Sequence, residues 1–226
     1  MGRAVALRTE AHHHPLAAVL RGVDGASCPN RLNFHCHTIC SDGSLQPHEL
    51  AEQAMAIGLE HLAVTDHHAS VAHASIERYF ARVAATGRSV PTLWRGVEIS
   101  CLLEGCLVHV LALGFDTDHG SLHPYLQGRA AVGPALRADM VVAAIRASGG
   151  LALLAHPARY RLSHQRLLAA AAELGFDGAE AWYDYEMGER WRPSPLVCEA
   201  IAAELADRGL LMSCGTDTHG LVLQGR

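Results

Sequence analysis

Several short apolar runs in this sequence end in a residue able to hold a metal ion or carry a proton. His35-Cys36-His37 is followed by Ser41-Asp42-Gly43. In a strand, residues i and i+2 face the same side, so His35 and His37 can approach one ion, and Asp42 can fold back over it from the next loop. Ala63-Val64-Thr65 runs into Asp66-His67-His68, and Trp94-Arg95-Gly96-Val97 runs into Glu98. His109 lies inside Leu107-Val108-His109-Val110-Leu111, and Leu153-Leu154-Ala155 runs into His156-Pro157, whose proline terminates the strand. Ser213-Cys214-Gly215-Thr216 leads to Asp217-Thr218-His219, which repeats the i, i+2 spacing.

Each of these has a bland reading. An imidazole inside an apolar strand, such as His109, is usually a satisfied core group. His67 could cap a strand end and Glu98 could face solvent, but a carboxylate closing an apolar strand is costly to bury unless it is paired or metal-bound. Together the six strand ends supply nine candidate ligands: His35, His37, Asp42, His67, Glu98, His109, His156, Asp217 and His219. Nitrogen and carboxylate oxygen donors suit zinc, manganese or iron better than calcium or an iron–sulfur cluster. Arg159 follows the His156-Pro157 turn, and its guanidinium could match phosphate oxygens with paired donors; a solvated loop arginine is the alternative. Glu180 ends another apolar run and could support a ligand from behind.

The elements that must position these groups are short strands interleaved with helices. Strands are expected at Leu32–His37, His61–Asp66, Leu93–Ile99, Leu107–Leu113, Leu151–His156, Asp177–Trp182 and Leu210–Thr216. Helices are expected at Pro47–Ile57, Ser70–Ala85, Ala135–Ala147, His164–Leu174 and Pro195–Asp207, with prolines at starts and glycines just past ends. The alternation predicts an α/β fold of parallel βα units, in which strand C-termini converge on one functional face. Residues 1–30, punctuated by Pro15, Gly22, Gly25 and Pro29, are expected to form an irregular leader, and residues 31–226 one domain.

Composition narrows the partners. The formal net charge is −5 with no run of like charge, which argues against a stable nucleic-acid complex, although bound ions can supply positive charge for a small phosphorylated substrate. Seven scattered cysteines without a CxxC pair read as reduced thiols, and no apolar stretch approaches a membrane span, so a cytoplasmic location is expected. Nothing in the sequence specifies an oligomer.

In this order, HCHTICSDG, TDHH, GVE, an internal strand histidine, AHP and GTDTH resemble the PHP family, named for polymerase and histidinol phosphatase. The resemblance runs from Leu32 to His219. It implies a distorted seven-stranded (β/α) TIM-like barrel and a centre of two or three divalent ions, manganese, zinc or iron. It also implies hydrolysis of a phosphomonoester by metal-activated hydroxide. Carried over, His35, His37, Glu98 and Asp217 hold a first ion. Glu98 bridges to a second, held also by His109 and His156, and Asp42, His67 and His219 hold a third. Glu98, His67 and His219 are the candidate catalytic groups, the two histidines as possible proton donors to the leaving oxygen. The stretches HVLALGFD, GGLALLAHPARYRLS and LGFDGAEAW are most similar to 3′,5′-nucleoside bisphosphate phosphatases and related 5′–3′ exoribonucleases, which implies a nucleotide or oligonucleotide end as substrate. Members of that subgroup carry a helical insertion between the strands of His109 and His156; here only Asp116 to Ala152 spans the gap, and the chain ends soon after His219. A histidinol-phosphate-like metabolite as substrate and a non-catalytic metal-binding module are the competing readings.

Overall fold

Helix punctuation is local chemistry, and the expected helices form close to where the sequence places them. In this computed structural model, which describes residues 13–188 and 190–225, the helices are α1 (Pro15–Leu20), α2 (Pro47–Ile57), α3 (Ala72–Ala84), α4 (Ala138–Ala147), α5 (His164–Leu174) and α6 (Pro195–Asp207). Gln46 and Glu49 form a capping box at the start of α2, and Gly58 ends it in the left-handed region at φ 85°. Ser163 accepts the Arg166 N–H at the start of α5.

The strands are β1 (Leu32–Asn33), β2 (His61–Ala63), β3 (Thr92–Trp94), β4 (Gly96–Leu103), β5 (Cys106–Leu113), β6 (Leu151–Leu154), β7 (Gly178–Trp182) and β8 (Leu211–Cys214). They form a parallel three-stranded sheet, β1-β2-β3, and a five-stranded sheet, β4-β5-β6-β7-β8. Two expectations are corrected here. The strand expected over Leu93–Ile99 breaks at Arg95, its first half pairing with β2 and its second with β5. The strands are also not all parallel, because β4 and β5 form an antiparallel hairpin and β6 runs antiparallel to β5. Leu103 pairs with Cys106, leaving a two-residue turn of Glu104 and Gly105, both at positive φ (52° and 69°). That turn suits a right-twisted hairpin, whereas a parallel pair would need a crossover of a dozen or more residues. Among the described residues the strands thus form an α/β fold with two sheets, of three and five strands, rather than one continuous seven-stranded sheet.

The two sheets meet along seams beyond the ends of the short strands. On one, Phe34 N–H donates to Cys214 O (3.0 Å), Asp217 N–H to His35 O (2.7 Å) and His37 N–H to Thr218 O (3.1 Å). On the other, His68 N–H donates to Glu98 O (3.0 Å), and Glu98 N–H lies 3.4 Å from Asp66 O. His35, His37, His67, Glu98, Asp217 and His219 sit on or beside these seams, while His109 and His156 come from β5 and the end of β6.

Alternation along the strands splits the core. Val108, Val110, Ala112, Ala152 and Leu154 pack outward against α4, α5 and α6, while Leu111, Leu113, Leu151 and Leu153 pack with Leu32, Phe34 and Leu211. Helix α1 closes the second group, burying Leu16, Ala17 and Leu20. The expected irregular leader is thus ordered structure from His13 onward, and its first twelve residues lie outside the described residues. The physical reason is an apolar layer that needs a lid, supplied by six residues begun by Pro15 and capped by the His14 side chain, which accepts the Leu16 N–H. Leu16→Ala should cost about 2–5 kcal/mol, as expected for truncating a fully buried leucine, measured as a shift in denaturant midpoint at constant slope; an unchanged midpoint would mean that α1 does not pack there. Between β5 and α4 the chain forms short 3₁₀ turns at Gly120–Tyr125 and Gly133–Leu136 rather than an inserted helical domain.

Candidate metal centre

The site is assembled from chain segments that leave the sheets. Beyond β1 the chain stays extended through His35 and His37, so both rings face one side. It then folds back as a tight loop. Thr38 O accepts from Gly43 N–H (3.0 Å), and a Cβ on Gly43 would stand 2.5 Å from the His37 carbonyl carbon, so glycine is required there. Asp66 at the end of the second strand segment holds this loop, accepting from Thr38 N–H (2.7 Å), Thr38 Oγ1 (2.7 Å) and Ser41 Oγ (2.9 Å). That loop carries Asp42 over the pocket.

The other eight expected donors gather around Glu98. Its Oε2 lies 3.1 Å from His35 Nε2, 3.1 Å from His37 Nε2 and 3.5 Å from His67 Nε2. Its Oε1 lies 2.8 Å from His109 Nδ1 and 3.3 Å from His156 Nε2. Asp217 Oδ1 sits 3.2 Å from both His35 Nε2 and His37 Nε2. On the outer side, Asp42 Oδ2 is 3.3 Å from His219 Nε2 and 3.7 Å from His67 Nε2. Glu98 is thus shared, with one oxygen toward each half of the cluster.

Among the described residues, three groupings have donor atoms within 4.8 Å of one another: His35-His37-Glu98-Asp217, His37-Asp42-His67-His219 and His67-Glu98-His109. His156 stands outside these groupings but within reach of Glu98. Both ring nitrogens of His37, and Nδ1 of His109, are buried beside carboxylates without hydrogen-bonding geometry. Ring nitrogens and carboxylate oxygens converging on common points, with those of His37 and His109 left without hydrogen bonds, fit cations between them, so this donor set could hold divalent ions.

Electrostatics agree with that chemistry. Burial would raise Glu98, but the imidazoles around it, led by His35 and His109, hold it well below the usual carboxylate range. Asp217 is likewise lowered, since His35 and His37 outweigh its burial. Burial disfavours a charged His37, yet Asp217 and Glu98 overcome this and raise it to about 9, while burial drives His67 down to about 4. These values predict a pH signature. In the ion-free protein, His37 contributes stability that is complete below its unfolded value of about 6.5 and is lost as pH rises through about 9. Divalent ions need the neutral ring, so their stabilisation should grow over the same window, reaching about 2.7 kcal/mol at a hundredfold excess over Kd. Thermal melts between pH 6.5 and 9, with chelator and with Mn²⁺, check both trends; an ion effect that shrank toward pH 9 would contradict them.

Arg159, at the end of a 3₁₀ turn (Pro157–Arg159), reaches the rim. Its Nη1 donates to Tyr183 Oη (2.8 Å) and Asp217 Oδ2 (3.1 Å), and its side chain is 40% exposed. Tyr183 Oη in turn donates to Asp217 Oδ2 (2.6 Å). A cavity of about 350 Å³ opens here, lined by His67, Glu98, His109, His156, Arg159, Met187, Asp217 and His219. Sequence reasoning missed Tyr183, Met187 and the anchoring role of Asp66. An aromatic after a strand reads as core, and only the aspartate inside TDHH carried a usable signal. Two further buried histidines, outside the nine candidate ligands, have structural partners: His73 accepts the Gly96 N–H (3.1 Å), and His68 lies 3.2 Å from Ser100 Oγ.

The sequence profile of a family described as "PHP domain" matches residues 33–177. The 5′-3′ exoribonuclease of Haemophilus influenzae is 36% identical over 102 residues, 45% of this chain and 35% of that protein. The 3′,5′-nucleoside bisphosphate phosphatase of Chromobacterium violaceum is 36% identical over 85 residues, 38% of this chain and 28% of that protein. The matched segment therefore spans about a third of the length of these relatives. A crystal structure from Bifidobacterium adolescentis, described as that of a candidate metal-dependent phosphoesterase, superposes with a TM-score of 0.67 at 22% identity over 88% of this chain and 90% of that one, which shows a shared fold.

Proposed function

The chain belongs to the PHP domain family, and from that premise we propose that it is a metal-dependent hydrolase of phosphomonoesters acting on a nucleotide, such as a 3′,5′-nucleoside bisphosphate, or on an oligonucleotide end. The observation that carries the reading is the sharing of Glu98. Its Oε2 faces His35 and His37, and its Oε1 faces His109 and His156. A carboxylate so placed can serve two cations at once, which an imidazole cannot.

In this reading His35, His37, Glu98 and Asp217 hold one ion, Glu98, His109 and His156 a second, and Asp42, His67 and His219 a third, with manganese, zinc or iron as the fitting metals. When bound, such ions supply Lewis acidity toward a phosphate oxygen and a lowered pKa for water. The protein's own groups do the rest. Arg159 binds a phosphate oxygen at the rim while Tyr183 and Asp217 hold its Nη1 in place. His67, with its pKa near 4, is neutral at pH 7 and offers a lone pair rather than a proton. His219 is the more exposed of the two imidazoles, and its Nδ1 is fixed by the Asp217 carbonyl (2.9 Å), so its Nε2 would be the better placed to protonate the leaving oxygen in a centre of two ions, and would be a ligand instead where a third ion binds. The nucleotide assignment draws on the exoribonuclease and bisphosphate phosphatase relatives.

Phosphate release from 3′,5′-bisphosphonucleotides, mononucleotides, 5′-phosphorylated oligonucleotides and histidinol phosphate, with added Mn²⁺, tests the proposal. Turnover confined to histidinol phosphate would replace the nucleotide reading. Bound metal without turnover on any of them would favour a non-catalytic module.

A further inference from the structure

Glu180 is a buried carboxylate that the chemistry above does not use. It lies in β7, fully buried, behind the cluster rather than facing the cavity. Both of its oxygens are 3.2 Å from His35 Nδ1, and Oε2 also accepts the His156 backbone N–H at 2.9 Å. One carboxylate therefore grips two of the proposed ligands, which belong to opposite halves of the Glu98-centred cluster.

The two grips do different things. A carboxylate only accepts hydrogen bonds, so its contact with His35 requires a proton on Nδ1. In the neutral ring the lone pair is then on Nε2, the atom that faces Glu98 and Asp217. His156 sits at φ 27°, ψ 61°, a backbone conformation unfavourable for a residue with a Cβ, and it persists only if its surroundings enforce it. Glu180 holds the amide of that peptide, while Ala155 N–H is fixed by His109 O (3.0 Å). The strained turn aims His156 Nε2 at Glu98 Oε1.

We propose that Glu180 is a positioning residue: it fixes the Nδ1–H tautomer of His35 and clamps the strained His156 peptide, and so sets the geometry of both halves of the ion centre at once. This rests on the reading that the cluster binds divalent ions. Glu180→Gln tests it with little change of shape. An amide oxygen at the Oε2 position can still accept from both N–H groups, but the NH₂ then replaces Oε1, 3.2 Å from His35 Nδ1, and sets donor against donor there. Losing such a support should weaken ion affinity about 10- to 100-fold.

The measurements are Mn²⁺ and Zn²⁺ titration by calorimetry of the wild type, Glu180→Gln and Glu98→Gln, together with nitrogen-15 NMR of histidine-labelled, Zn²⁺-loaded wild-type protein. The expected results are a protonated Nδ1 on His35 in the wild type and a 10- to 100-fold weaker affinity in Glu180→Gln. Wild-type affinity in Glu180→Gln would overturn the proposal, as would a His35 ring protonated on Nε2; the NMR result stands even if the variant does not fold. A wild type that binds no ion would instead remove the ion-centre reading and this proposal with it, an outcome distinct from the variant alone behaving normally.

Discussion

Glu98→Gln should lower phosphomonoesterase activity about a thousandfold or more and reduce bound metal. The substitution conserves shape, so the loss would come from charge. Glu98 Oε1 and Oε2 face His109 and His156 on one side and His35 and His37 on the other. A glutamine offers one oxygen and one NH₂, so it can serve one half only. Lewis-acid stabilisation of a transferring phosphoryl group is worth several kcal/mol, and each 1.36 kcal/mol is about tenfold in rate. Metal content by elemental analysis, measured beside kcat, separates loss of ions from loss of chemistry. The ion-free protein should also be less stable below pH 6.5, because His35 and His37 lose the carboxylate that raises their pKa values. A Glu98→Gln protein with normal activity and normal metal content would refute the bridging assignment.

Gly215→Ala should be nearly as damaging, through packing alone. Gly215 lies on the seam between the segments that follow β1 and β8. A Cβ there would collide with His35 Cβ and stand 2.6 Å from His35 N and 2.8 Å from its Cα. Backbone cannot swing aside as a flexible side chain can, so the seam must open. Overpacking of this kind costs about 1–3 kcal/mol. The displaced residue is His35, and a misplacement near 1 Å in a preorganised site can cost about a hundredfold in rate. Gly120→Ala is the control, since nothing lies within 4 Å of a Cβ there, and it should change stability by no more than about 0.5 kcal/mol. Chemical denaturation and steady-state kinetics of both variants check this; equal behaviour would mean that the seam is looser than it stands here.

The site was legible where its signals are local. His35-Cys36-His37 reads as a paired donor because strand side chains repeat every two residues. The bounds of the helices at Pro47–Ile57, His164–Leu174 and Pro195–Asp207 were readable because caps and breakers act within one turn. Helix α1 was not, because six residues between prolines and glycines carry too little periodicity, and its stability comes from burying Leu16 and Leu20 against distant strands. The break at Arg95 was equally hidden. Leu93–Ile99 is one apolar run, and its division follows from β2 taking one half and β5 the other. The hairpin did leave a trace, Glu104-Gly105 between two apolar runs, but without the asparagine or aspartate that usually marks such a turn.

What the sequence alone determined is the inventory: which residues can donate to an ion, and that most of them stand at the end of an apolar run, His109 lying inside one and Asp42 in the loop after one. Only the tertiary structure decided the partnerships, namely that Glu98 is shared, that Tyr183 and Arg159 meet on the outer oxygen of Asp217, and that Glu180 grips His35 and His156 together. A donor's chemistry belongs to its own side chain, whereas its partner is set by strand register and seam closure between segments far apart in the chain. Those follow from how whole sheets bury their faces, and no window of neighbouring residues contains that information.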